Sequence, residues 1–440
     1  MKKLPFLNFV FLSLLPNLAF ASEDASVSFP YWTSIFFIGL LLSIAIFPLV
    51  NADWWGKRYG YVSFAFAIPA IIIIVSKDWH LLLHTMEEYV SFIILLGSLF
   101  IIAGGIVIRI GAPGTPKLNA LMLFVGAFFA SFIGTTGASM VLIRPLIRAN
   151  KWRKHVIHIY IFFIFMVSNI GGLLTPLGDP PLFLGFLRGI PFLWTFKLVV
   201  FWLFAVGVLL FIFFMIDNYF LKKEDKENMV KYIDNIPEKK LDIAGKINII
   251  FLLMVIASFF IPPIFRELVM IISAGLSIYF TPVVLREENA FTYHPIIEVA
   301  LLFFGIFATM VPVMEILKIN GSRLGISEPW QFFWITGALS SFLDNAPTYL
   351  VFMATAQSVA VAKGITTNLI VGVPEVYLKA ISVGAVFMGA NSYIGNGPNF
   401  MVKAICEEND IKMPSFFGYM AWSIGILIPL FVIITFVFFK

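Results

Sequence analysis

Two aspartates stand in an otherwise apolar neighbourhood of this 440-residue chain: Asp179 in TPLGDPPLF (175–183) and Asp344 in SSFLDNAPTYLVF (340–352). Oxygen-bearing side chains gather near both. Thr135, Thr136, Ser139, Asn169 and Thr175 precede Asp179, while Asn345, Thr348, Asn391, Ser392, Asn396 and Asn399 follow Asp344. Hydroxyl, amide and carboxylate oxygens are hard ligands, suited to a small cation such as sodium. A carboxyl group removed from water holds its proton more tightly, and a bound cation reverses that preference. Such an acid can hold either a proton or sodium. Each Asp has a second reading as a helix cap, and the two roles can coexist.

The residues around the acids occur twice. TPLGDPPLF and SYIGNGPNF (392–400) share Gly178/Gly395, Pro181/Pro398 and Phe183/Phe400 at an offset of 217. ASFIGTTGASMVL (130–142) aligns with SSFLDNAPTYLVF at an offset of 210, and FIILLGSLF (92–100) with ALLFFGIF from Ala300 at 208. Three segments in one order imply a duplicated half. At the positions aligned with Asp179 and Asp344, the other half has Asn396 and Gly134. The helix breakers Gly134, Gly137, Gly178, Pro180, Pro181, Pro347, Gly395, Gly397 and Pro398 interrupt the apolar background. In a membrane chain, breaks at matching places in two halves point to a binding site near the midplane.

The environment follows from composition. The chain is 60% hydrophobic and 12% charged, with a mean hydropathy of +0.95. That excludes an ordinary soluble domain. The net charge of +5 does not indicate nucleic acid, because the basic residues sit in short loops beside apolar runs. The one cysteine, Cys406, cannot form an intrachain disulfide. Residues 1–21, with Lys2, Lys3, an apolar run and Ala19-Phe20-Ala21, read as a signal peptide. Such a signal suggests a bacterial inner membrane. His80 and His84 have zinc-like spacing without an evident third ligand. His155 and His158 read as interfacial, Glu315 as hydrated, and Glu298 as a secondary proton carrier.

Apolar runs near 31–50, 61–77, 86–108, 192–220, 246–263, 267–285, 294–317 and 414–439 predict spanning helices. Segments 156–190 and 376–405 predict two more with internal breaks. Segments 118–147 and 329–362 are about 30 residues each, apolar at both ends and polar between, whereas a straight crossing needs about 20. They read as re-entrant hairpins with polar tips at 134–139 and 344–348. With that topology, loops assigned to the cytoplasm hold 19 Lys and Arg against nine outside, the expected bias. The reading is an all-α polytopic membrane protein of two inverted repeats, 22–220 and 246–440, joined by a charged cytoplasmic linker, 221–245. Each repeat has five spanning helices and one hairpin, with broken helices at the midplane. If each tip faces the break of its own half, each half-site holds one acid.

Over residues 30–440 the chain resembles the ion transporter superfamily, specifically its arsenite-permease and NhaD-type sodium/proton antiporter branch. The likeness is carried by SFIGTTGASMVLIRPLIRAN (131–150), SNIGGLLTPLGDPPLFLGFLRG (168–189), SSFLDNAPTYLVF (340–352) and GANSYIGNGPNFMVKA (389–404). The resemblance implies a homodimer with elevator-like alternating access. The composition places the chain in membrane lipid, and no resident cofactor is expected. Dicarboxylate-carrying relatives use Ser-Asn-Thr hairpin tips. Here the tips read Gly-Thr-Thr-Gly and Asp-Asn-Ala-Pro, which favours exchange of sodium and protons. The alternative is ion-coupled carriage of a citrate-like carboxylate, or of an arsenite-type anion. No Lys or Arg lies in the proposed site, yet half-helix N-termini bind anions unaided. An intramembrane aspartyl protease fits less well, because the duplication has no role in that chemistry. A channel fits less well than alternating access.

Overall fold

The computed structural model describes residues 27–225, 230 and 241–440. The expected signal peptide and most of the linker lie outside the described residues. The chain folds as an all-α, multi-pass membrane protein. Its helices are α1 (Ser34–Val50), α2 (Ala52–Lys77), α3 (Trp79–Ala103), α4 (Pro116–Ile133), α5 (Thr135–Ala149), α6 (Ile157–Met166), α7 (Pro180–Leu187) and α8 (Val199–Leu221), then α9 (Ile247–Ser258), α10 (Pro263–Phe280), α11 (Val283–Glu288), α12 (His294–Asn320), α13 (Pro329–Ser340), α14 (Asn345–Ala362), α15 (Glu375–Met388), α16 (Gly397–Glu408) and α17 (Phe416–Phe438). Among the described residues, eight helical stretches are long and apolar enough to cross a bilayer. Side chains such as Ile72 and Phe211 stay exposed on them, as lipid-facing surfaces require.

Local chemistry sets the ends of these helices. Asn51 caps α2 through the Trp54 amide at 2.9 Å, and Asp78 caps α3 through the His80 amide at 2.9 Å. Thr115 caps α4, with Pro116 at the first helical position, where its missing N–H costs nothing. Pro262 and Pro263 close off the connection after α9, so the run expected to span 246–263 is helical for only 12 residues.

Helix α12 packs along α1, α2, α3 and α14, and α13 packs on α15. The run expected to continue to residue 108 stops at Ala103. Beyond it, β1 (Val107–Ile110) pairs antiparallel with β2 (Leu241–Ala244), Val107 opposite Ala244. A second ribbon pairs β3 (Leu369–Ile370) with β4 (Val373–Pro374).

The segments read as hairpins are helix pairs. Between α4 and α5 stands Gly134 alone, at φ +79°, a conformation that favours glycine. Residues 135–139 are therefore helical, not a broken tip. Between α13 and α14 the turn occupies 341–344, earlier than the expected 344–348, because Asp344 caps α14. The first arm, α4, is itself long enough to cross by length and composition. The broken helices open between α6 and α7, with one 3-10 turn at Ile170–Leu173, and between α15 and α16, with another at Gly389–Asn391.

Two placements correct the sequence reading away from the breaks. His158 is buried, with Nε2 2.8 Å from Asp217 Oδ1, and Arg153 Nη2 reaches the same oxygen at 2.5 Å. Asn119 donates to Asp217 Oδ2 at 3.0 Å. Together they tie α4, α6 and α8 into one base. Glu315 is buried and accepts from Lys318 Nζ at 2.7 Å.

Candidate functional site

Asp179 precedes α7 in an extended conformation, φ −145° and ψ 144°. Pro180 imposes this, because a proline pushes the preceding residue out of the helical region. Cap side chains bond the second or third helical amide, and the second residue of α7 is Pro181, which has none. The third, Leu182, gives its amide to the Asp179 carbonyl at 3.1 Å, so the Asp179 side chain makes no cap bond, and its carboxylate turns inward.

There it meets both halves of the chain. Oδ1 accepts from Thr135 Oγ1 at 3.0 Å and from Asn396 Nδ2 at 3.0 Å. Oδ2 accepts from Asn345 Nδ2 at 2.5 Å. The Thr135 amide also donates to the Gly178 carbonyl at 2.8 Å, fastening the start of α5 to the first break. Thr135 and Asn345 are partners at an offset of 210, and Asp179 and Asn396 at 217. One centre, made of duplicated positions, replaces the two separate half-sites expected.

Asn396 Nδ2 further donates to the Ser168 carbonyl at 3.1 Å and to Asn169 Oδ1 at 3.2 Å. Asn169 Nδ2 donates to Asn399 Oδ1 at 2.7 Å, and Asn399 Nδ2 to the Gly389 and Ser392 carbonyls, each at 2.8 Å. These amides satisfy carbonyls freed by the broken helices, which could not stay unpaired in a dry interior. Asn345 Oδ1 and Asn391 Oδ1 are buried without a hydrogen-bond partner among the described residues.

The other expected residues lie around this centre. Ser139 Oγ pairs with Ser168 Oγ at 2.8 Å. Asn391 Nδ2 donates to Ser341 Oγ at 2.9 Å. Asp344 accepts from the Ala346 amide at 3.0 Å, and Thr348 Oγ1 donates to the Asp344 carbonyl at 2.9 Å. Asp344 is close enough for its charge to act on Asp179, but its hydrogen bond closes its own helix. Thr136 is half-buried and lines a cavity of about 80 Å³, with Gly134, Gly137, Pro180, Phe100 of α3 and Val299 of α12.

Glycines and prolines have distinct roles here. A Cβ on Gly178 would collide with the Gly172 carbonyl, and one on Gly395 would lie 2.6 Å from the Gly389 carbonyl. Gly397 has open space around it. Pro180 and Pro181 open α7, Pro347 lies in the first turn of α14, and Pro398 in that of α16, all positions where no helical amide bond is lost.

Sequence reasoning missed the serines that hold the breaks. Thr175 Oγ1 donates to the Ser131 carbonyl, and Ser392 Oγ to the Ser341 carbonyl. Ser131 Oγ donates to the Gly171 carbonyl at 2.5 Å, and Ser341 Oγ to the Met388 carbonyl at 3.0 Å. The Leu177 amide donates to Thr175 Oγ1 at 3.1 Å, and the Ile394 amide to Ser392 Oγ at 3.2 Å. One set of bonds is thus made twice at the sequence offsets. The available signal was an identical serine in the two aligned hairpin motifs.

Interrupted helices meeting at a buried polar centre within an apolar, multi-pass chain define a membrane transporter. Residues 26–439 match the CitMHS_2 family model, described as "Putative citrate transport", and the chain belongs to that family. It is a family of transporters, not of enzymes. The match fits the carboxylate alternative better than sodium/proton exchange, and it does not single out the arsenite-permease or NhaD-type branch. No curated protein matches the sequence.

Proposed function

We infer that this protein is a secondary transporter for a citrate-like carboxylate, coupled to a cation and working through the Asp179 centre. The carrying observation is that four helices begin there: α5 at Thr135, α7 after Asp179, α14 at Asn345 and α16 after Asn396. The N-terminal pole of a helix carries about half a positive charge. Four converging poles favour an anion without a Lys or Arg. The Asp179 carboxylate and the unpaired Asn345 oxygen supply hard acceptors for a coupling cation, with sodium and the proton as candidates.

The matched hydrogen bonds support a duplicated architecture. We read the halves 22–220 and 246–440 as inverted, with α4–α5 and α13–α14 as re-entrant hairpins. Sodium/proton exchange is the second reading, favoured by a buried acid in a site without basic side chains. The homodimer, elevator-like movement, cleaved signal, cytoplasmic linker and bacterial inner membrane belong to this proposal.

The test is reconstitution of the full chain in vesicles carrying an internal pH dye, with labelled citrate outside. Citrate accumulation driven by a sodium or proton gradient, and reduced at least tenfold in Asp179→Asn, is the expected result. Sodium-dependent pH change without citrate flux would replace it with the exchanger.

A further inference from the structure

We propose that Arg144 recognises the negative charge of the substrate on its path to the centre and sets how many carboxylates the transporter prefers. This rests on the carboxylate reading above. Helix poles attract any anion. Their backbone N–H groups bring only partial charge, with no full positive charge to match an additional carboxylate. A guanidinium brings that charge, and its planar fork binds a carboxylate through two parallel hydrogen bonds.

Arg144 is placed for this role. Helix α5 starts at the centre, where Thr135 bonds Asp179. Gly137 lines the cavity beside it. Met140, Val141 and Arg144 follow at i+3, i+4 and i+7, on the same helix face. Arg144 therefore lies about 10 Å beyond Gly137 along the helix. Residues 137–143 are all buried, and Arg144 is the first of this stretch to be partly open. It stands towards the end that carries Arg148, Lys151, Arg153 and Lys154, which the charge bias assigns to the cytoplasm.

Its electrostatic situation is distinctive. Three basic residues lie on the four helices that begin at the centre: Arg144, Arg148 and Lys403. Arg148 bonds Glu288 at 3.2 Å, and Lys403 bonds Glu407 at 2.8 Å. Among the described residues, Arg144 makes no hydrogen bond or ion pair. Glu408, at the end of α16, acts on it through space without reaching ion-pair distance. A guanidinium held partly out of water without an ion-pair contact is costly to keep, and an incoming carboxylate relieves that cost.

The experiment is citrate and succinate transport by full-length protein in vesicles, for wild type, Arg144→Gln, Arg144→Lys and Glu408→Gln. Arg144→Gln is expected to raise the citrate KM at least tenfold, with kcat within twofold and a smaller rise for succinate. Lys is expected to recover part of the loss. Glu408→Gln, which removes a competing charge, is expected to lower the citrate KM at least threefold. Wild-type citrate transport with an unchanged KM in Arg144→Gln overturns the inference and leaves the carboxylate reading standing. If Arg144→Gln does not fold, an unchanged KM in Glu408→Gln overturns it instead. Wild-type vesicles that move no citrate sink the carboxylate reading and this inference together.

Discussion

At the scale of single residues, the two aspartates show how one side-chain type takes two roles. The difference lies in their C-terminal neighbours. After Asp344 come Asn345 and Ala346, and the Ala346 amide donates the cap bond. After Asp179 come two prolines, so the nearest cap donors are absent and the carboxylate is left to gather Thr135, Asn345 and Asn396. The prolines were legible in the sequence. The origin of the donors in both halves was not, because hydrogen bonds spanning 166 and 217 residues leave no local pattern. If Asp344 serves only as a cap, Asp344→Asn keeps both stability and transport, since Asn caps as well as Asp. Asp344→Ala then costs about 1 kcal/mol, read as a lower thermal midpoint. Loss of transport in a stable Asp344→Asn would instead make it a ligand.

At the scale of elements, tight backbone approach positions the site. Gly178 lies against the Gly172 carbonyl and Gly395 against that of Gly389, with the same sequence separation in both halves. Gly178→Ala and Gly395→Ala are expected to cut the yield of folded protein severalfold, measured by size-exclusion chromatography in detergent. Gly397→Ala, with free space around it, is expected to stay within about 0.5 kcal/mol of wild type.

The β1–β2 ribbon escaped sequence reading because it pairs two short segments that lie far apart in the chain. It presents Arg109, whose Nε and Nη2 bond Glu288 at 3.0 and 2.6 Å. The hydrogen bonds from Arg109 hold the Glu288 carboxyl below its ordinary value of 4.5, against a smaller opposing effect of burial and with help from Arg148. A depressed carboxyl stabilises the fold fully above its unfolded value and loses that contribution as pH falls through the folded one. The thermal midpoint should therefore keep this group's full contribution, unchanged, between about pH 6 and 8 and lose it below about pH 4. Glu288→Gln should show a shallower acid decline in the same scan.

At the scale of the whole molecule, the multi-pass character was visible in the apolar runs, and the residues that gather around Asp179 in the doubled motifs. Sidedness rests on the distribution of Lys and Arg. Cys406 is buried, so the unmodified chain should resist an impermeant maleimide and serve as a clean background. Lys154→Cys is expected to label only from the cytoplasmic face, and Arg323→Cys only from the opposite face. Labelling of both from one side would overturn the assigned topology.

The pairing of Asp179 with Asn396 has a consequence for bioenergetics. A duplicated chain could have kept two equivalent coupling groups, but here one of the two positions is an amide that cannot ionise. On the carboxylate reading, and with Asp344 serving as a cap, the shared centre would offer one unit of negative charge, that of Asp179, to neutralise in each cycle. A fully ionised tricarboxylate arriving with a single compensating cation would carry net charge across the bilayer. Voltage would then act on it at about 2.3 kcal/mol per charge for each 100 mV, and a cell interior held negative would favour export over uptake.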